Sequence, residues 1–286
     1  TMNYSSALFE HPGQDMVSAQ WAKVHRALRL AQVKPGDRVL EIGCGWGALA
    51  EAATTTFDAS VVGVTLSTEQ LAWANERMAR LGAAARADLR LQDYRDINDG
   101  PFDAICSIEM VEAVGREYWP TYFQTVARLL KPGGRANIQS ITIADAHFER
   151  YISGTDFIQQ YIFPGGCLPS PSAFRAQAEA AGLVVEDAFS FGRDYAETLR
   201  QWRERFLHEE PRVRELGFEP MPHFSARRIT SEDDFEGYLR AVVEKAGVER
   251  CFIVAGDPPE PVGPYFDTSA LIATGAFERS GIKAIG

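Results

Sequence analysis

The chain has 286 residues, 45% of them hydrophobic, and a formal net charge of -10 at pH 7. That length can bury one large core, and the acidic balance argues against a nucleic-acid partner, whose phosphates call for clustered Lys and Arg. No apolar run reaches the roughly eighteen residues of a membrane span, and Thr1-Met2-Asn3-Tyr4-Ser5 lacks the basic and apolar regions of a signal peptide. A cytoplasmic location is expected, with peripheral contact at the inner membrane face left open to a local basic or apolar patch. Cys44, Cys106, Cys167 and Cys251 lie too far apart for a disulfide framework or a zinc site, so they read as reduced packing residues, and no metal is expected.

In chain order, Asp15 to Gln32 has helical periodicity opened by an acid, Arg38 to Ile42 reads as a strand and Ala48 to Thr55 as a helix. A strand Ser60 to Val64 and a helix Ser67 to Leu81 follow. Leu89 to Leu91, Phe102 to Ser107 and Ala136 to Ser140 supply further strands, with a helix Trp119 to Leu130 stopped by Lys131-Pro-Gly-Gly134. Leu183 to Ser190 and Cys251 to Ala255 complete seven strands, the last two expected to be antiparallel. Strand and helix alternation predicts an α/β fold with a mainly parallel seven-stranded sheet and helices on both faces. Residues 145 to 170 break the alternation with charge, aromatics and a turn-dense Phe163-Pro-Gly-Gly-Cys-Leu-Pro169, a pattern expected of a helical cap over the sheet's carboxyl edge. Residues 1–255 read as one domain with a variable segment at about 208–235. The proline-dense Gly256 to Pro264 reads as an extended linker into a tail, 256–286, that carries no motif.

Chemistry enters at Val39-Leu-Glu-Ile-Gly-Cys-Gly-Trp-Gly47, a buried strand that breaks at glycines into a helix. A dinucleotide site would place an acid at the end of the next strand for the ribose hydroxyls. Here Gly63-Val-Thr65-Leu-Ser67 has none, which disfavours NAD. Ser67 and Gln70 stand at the capping-box spacing, so a helix-start role competes evenly with ligand contact. The Glu-x-Gly-x-Gly-x-Gly form instead resembles motif I of the Rossmann-like class I S-adenosylmethionine-dependent methyltransferases, in which such a turn would offer backbone N–H groups to the cofactor.

The resemblance narrows through Gly-Val-Thr-Leu-Ser-Thr-Glu-Gln70, Gln-Asp-Tyr-Arg95, Ser-Ile-Glu-Met-Val-Glu-Ala-Val-Gly115 and Tyr-Ile-Phe-Pro-Gly-Gly-Cys-Leu-Pro169, which occur in that order. With Asn-Tyr-Ser-Ser-Ala-Leu-Phe9 and Asp-Tyr-Ala-Glu-Thr-Leu199, the series resembles the cyclopropane-fatty-acyl-phospholipid synthase and mycolic acid cyclopropane synthase family over residues 3 to about 207. The family's large members carry a further N-terminal domain, so the chain is expected to represent the catalytic portion. The resemblance implies methyl transfer from S-adenosyl-L-methionine to the double bond of an unsaturated acyl lipid, with ring closure assisted by bicarbonate. It assigns Tyr4, Ser5, Gly43, Gly45, Gly47, Thr65, Leu66, Gln70, Asp93 and Tyr94 to the cofactor, with Tyr94 beside the adenine. It assigns Glu112, Gln139, Ile141, Tyr195 and Ser6 to the carbonate and the reacting centre. Ser6 stands where many members have cysteine and Gln139 where the bacterial type has histidine; Gln139 can still donate to an oxyanion. Glu109 is a nearby rival to Glu112. Two other functions compete: methylation of a small secondary metabolite, in which Glu112 acts directly on the acceptor, and a catalytically silent lipid-binding relative.

Overall fold

The computed structural model describes residues 1–154, 159, 165–219, 221–256 and 260–286. Backbone contacts divide the chain into two units, Thr1–Trp202 and Arg203–Gly286.

In the first unit the Asp15 carboxylate accepts from the N–H groups of Val17 and Ser18, capping α1 (Met16–Leu30). Then come β1 (Arg38–Ile42), α2 (Ala48–Thr55), β2 (Ser60–Thr65), α3 (Thr68–Arg80), β3 (Ala87–Leu91), β4 (Phe102–Ile108), α4 (Trp119–Leu129) and β5 (Leu130–Gln139). The strands pair in the order β3-β2-β1-β4-β5, every pair parallel. Successive residues of a strand face opposite ways, so β1 feeds two cores. Val39 joins Leu28, Leu49 and Met78 of α1 to α3, whereas Leu40 and Ile42 join Tyr122, Phe123 and Val126 of α4. Burial on both faces is why β1 reads as an unbroken apolar run. The unit continues through α5 (Asp145–Ile152), α6 (Pro171–Ala180) and α7 (Gly192–Glu215), and the division between units falls within α7.

The second unit contains β6 (His223–Ser225), α8 (Glu232–Ala246), β7 (Arg250–Val254), α9 (Thr268–Ile272), α10 (Ala276–Ser280) and β8 (Ala284–Ile285). Its three strands pair in parallel around a core of Phe224, Phe235, Leu239, Leu271 and Phe277.

Two features of the expected sheet need correction. Among the described residues the central sheet has five strands, not seven. Leu183–Ser190 has no regular structure: Leu183 and Val185 pack on the α4 side of the core while Val184 is 83% exposed, and no strand among the described residues pairs with it. The Cys251 segment is a strand, β7, but it belongs to the separate sheet and is parallel to both neighbours. The residues beyond Ala255 are also not a bare tail. Val262 donates its N–H to the Arg227 carbonyl, Gly263 lies so close to the carbonyls of Ile229 and Thr230 that a Cβ has no room, and Tyr265, Leu271, Ala276, Phe277 and Ile282 are core residues. All four cysteines are free and buried. No described helix is long and apolar enough to cross a membrane.

Candidate active site

Between β1 and β4 the strand order switches direction, and a sheet of this topology opens a crevice at the carboxyl ends of the strands flanking that point. The residues singled out from sequence lie there: the glycine turn follows β1, Thr65 closes β2, Asp93 and Tyr94 follow β3, Glu109 and Glu112 follow β4, and Gln139 closes β5.

The turn Gly43–Gly47 holds left-handed φ values of 85°, 49° and 80° at its three glycines. At Gly47 a Cβ would lie 3.0 Å from the Ala74 Cβ, so glycine also allows α3 to approach. At Gly45 a Cβ would meet only the Tyr4 ring, at 4.0 Å, and would project into the open cradle. Val64 accepts from the N–H groups of Gly43 and Cys44, while those of Gly45 and Trp46 have no acceptor among the described residues. Below the turn, Glu41 is buried with Oε2 unpartnered, and burial holds its carboxyl well above the usual range. Unspent donors and an open cradle fit the amino-acid end of S-adenosylmethionine.

A neutral chain of side chains flanks the turn. Thr65 Oγ1 donates to Gln70 Oε1 at 3.0 Å, and Gln70 Nε2 donates to the Tyr4 hydroxyl at 3.2 Å. Ser67 Oγ accepts from the Gln70 N–H and caps α3, but the Gln70 side chain does not return to Ser67. Half of the capping box forms, and its other half faces the cradle. The remaining cofactor expectations divide. Leu66 is exposed, the Asp93 carboxylate is engaged by Arg95, which holds its pKa low, and Tyr94 is buried with its ring edge-on to Tyr122. No side-chain hydrogen bond joins these three to Gln70 among the described residues.

Across the crevice, Glu112 Oε1 accepts from the Ile141 N–H and Oε2 from Ser140 Oγ, both at 3.2 Å. Its carbonyl accepts from the Cys167 N–H at 2.8 Å, which fastens part of the expected cap to the site. Of that cap, α5 and Gly165–Pro169 are described; 155–158 and 160–164, including Tyr161 to Pro164 of the motif, lie outside the described residues. Burial pushes the Glu112 carboxyl up to about 7, and the Tyr195 phenol is raised by burial and by the charges of Glu109 and Glu112.

Ser6 and Gln139 converge on a carboxylate that sequence reasoning named only as a rival. Glu109 Oε1 accepts from the Ser6 N–H at 2.8 Å and from Gln139 Nε2 at 2.9 Å, and the Glu109 N–H donates to the Gln139 carbonyl at 2.8 Å. Beneath it, buried Lys23 donates to Ser5 Oγ at 2.5 Å and Gln20 Oε1 at 2.6 Å. Burial brings the Lys23 ammonium down to about 8, opposed by the Glu109 charge. Of the residues expected at the reacting centre, Ser6 and Gln139 thus gather on Glu109 and Ile141 on Glu112, while Tyr195 meets the two carboxylates through their charge.

The fold is that of the Rossmann-like methyltransferases. A mycolic acid cyclopropane synthase, CmaA1, solved with SAH and CTAB, superposes with a TM-score of 0.68 at 29% identity over 86% of this chain and 84% of that one. The family model described as mycolic acid cyclopropane synthetase matches residues 1–236, and the chain belongs to that family. It is 41% identical over 227 residues to tuberculostearic acid methyltransferase UfaA1 of Mycobacterium tuberculosis, covering 77% of this chain and 53% of that one. It is 43% identical over 212 residues to cyclopropane-fatty-acyl-phospholipid synthase of Escherichia coli, covering 74% and 53%. The chain spans about half the length of these curated relatives.

Proposed function

We propose that the chain methylates the double bond of an unsaturated acyl lipid and closes a cyclopropane ring on it. The observation that carries this reading is the meeting of an uncharged cofactor cradle and a buried carboxylate cluster at the carboxyl ends of β1, β2, β4 and β5. S-adenosyl-L-methionine, held by Tyr4, Ser5, the Gly43–Gly47 turn, Thr65 and Gln70, with Leu66, Asp93 and Tyr94 at the adenosyl end, supplies an electrophilic methyl group. An alkene is a weak nucleophile, so the protein must align it, and positive charge then develops on carbon beside the new bond. Glu109, Glu112 and the Tyr195 ring are the groups that stabilise such charge, each partly withdrawn from water and therefore less screened. Ile141 and Ser140 orient Glu112. The final proton goes either to bicarbonate held by Ser6, Gln139, Glu112, Ile141 and Tyr195 or to a carboxylate of the chain itself. A phospholipid acceptor also requires that the crevice meet a membrane surface peripherally.

The test is mass spectrometry of lipids from cells expressing the chain or its Glu112→Gln variant. One added CH2 unit on monounsaturated acyl chains, lost in the variant, is the expected result. Unchanged lipids from a chain that binds S-adenosylmethionine would move the reading to a small-molecule acceptor or a silent relative.

A further inference from the structure

Resting on the acyl-methylation reading, we infer that the base of this site is built into the chain: the Glu109 carboxylate takes the final proton, and no bicarbonate is bound. The two carboxylates are held differently. Both oxygens of Glu112 accept hydrogen bonds, whereas Glu109 is anchored through Oε1 alone, and its Oε2 has no hydrogen bond among the described residues. A base needs a lone pair open to the proton it takes, and Glu109 offers a whole oxygen unspent where Glu112 offers none.

Hydrogen-bond accounting argues against a bound anion as well. A backbone amide has one hydrogen, and Ser6 spends its own on Glu109, so a carbonate there would have to displace the side chain. It would also add a third negative group beside Glu109 and Glu112, opposed on this side by Lys23 alone among the described cations that act on Glu109. Like charges gathered in a site partly withdrawn from water repel more strongly than they would in bulk solvent. The backbone supports a functional role: Glu109 has φ of 51°, a left-handed conformation that is unfavourable for a residue with a side chain. Burial raises its proton affinity, against the pull of Ser6, Gln139 and Lys23.

The step balances. The alkene π pair forms the bond to the methyl carbon as the methyl–sulfur pair leaves on sulfur, and the neighbouring carbon becomes cationic. Glu109 Oε2 then takes a proton from the added methyl, the released C–H pair closes the ring onto the cationic carbon, and the carboxylic acid returns its proton to water.

The test has two readouts. In 13C NMR titration of bicarbonate into the chain saturated with S-adenosylhomocysteine, no bound bicarbonate is expected. Glu109→Gly, which suits the left-handed backbone and frees Ser6 and Gln139, should bind it. On vesicles of a dioleoyl phospholipid in CO2-free buffer, turnover should persist and not respond to added bicarbonate. Glu109→Gln should lose about a hundredfold or more in turnover while still binding S-adenosylhomocysteine and unfolding no earlier than the parent. Bound bicarbonate in the unaltered chain, a bicarbonate requirement, or near-normal turnover of Glu109→Gln would overturn the assignment. If no unsaturated acceptor is methylated, the acyl reading fails by itself, and the NMR titration still decides whether Glu109 excludes the anion.

Discussion

The two sides of the crevice are made of different materials. The cofactor side is backbone shape and neutral hydrogen bonds: three left-handed glycines, two N–H groups with no acceptor among the described residues and the Thr65–Gln70–Tyr4 chain, which ends on a tyrosine 66% exposed. The other side is charge withdrawn from water: Glu109 and Glu112 with raised proton affinities and Lys23 with a lowered one. The contrast teaches that recognition here depends on room, whereas reactivity depends on electrostatics. Substitutions on the first side should therefore act through sterics and stability, and those on the second through rate and pH.

The most damaging test of that division is Gly47→Val. Left-handed strain and the clash with Ala74 together should cost about 3 kcal/mol of stability and remove cofactor binding, read by thermal unfolding and calorimetry. An unchanged unfolding midpoint would break the steric half of the comparison.

Glu112→Gln should move rate and stability in opposite directions. Turnover should fall at least about tenfold, or ~1.4 kcal/mol. With a folded pKa of about 7 against the ordinary 4.5, the folded protein holds this proton longer than the unfolded chain does. Its contribution is therefore full below pH 4.5, declines as pH rises toward 7, and levels off above. The glutamine variant should be ~2 kcal/mol more stable than the parent at pH 8 and equal to it at pH 4, a difference that denaturant melts at the two pH values would read. A variant less stable at pH 8 would mean that Glu112 is a structural ion.

Ser67→Ala should remove the α3 cap at a cost of ~1 kcal/mol while leaving cofactor affinity unchanged. A loss of affinity without a loss of stability would return Ser67 to the ligand-contact role that the sequence left open. The smallest effect is expected from Tyr4→Phe, where one exposed hydrogen bond to Gln70 is lost; cofactor affinity should weaken by ~0.5 kcal/mol, about twofold.

What the sequence made legible follows the same division. Arg38–Ile42 and Ala48–Thr55 match their expected bounds, because a strand buried on both faces and a glycine-to-helix break leave local marks. Leu183–Ser190 opens on a strand-like Leu-Val-Val run, but local composition cannot supply a pairing partner. β7 shows the limit in another form, since its strand signal is sound and its sheet is set by residues as distant as His223 and Ala284. Among site residues, Glu109 could be named from its place before Glu112. That it captures Ser6, 103 positions away, and Gln139, 30 away, only the folded chain shows. Asp93 is the converse: a polar residue at the right strand end whose carboxylate is engaged by its neighbour Arg95.

The segment Tyr4–Ala7 distributes consecutive residues among separate partners: Tyr4 to Gln70, Ser5 to Lys23 and Gln20, Ser6 to Glu109, and Ala7 to Thr198 of α7. A strip so divided cannot shift at one residue without disturbing the next. Cofactor occupancy and the titration of Glu109 thereby become two legs of one thermodynamic cycle: whatever protonation of that carboxylate does to ligand affinity, ligand binding does, equal in size, to how tightly the carboxylate holds its proton.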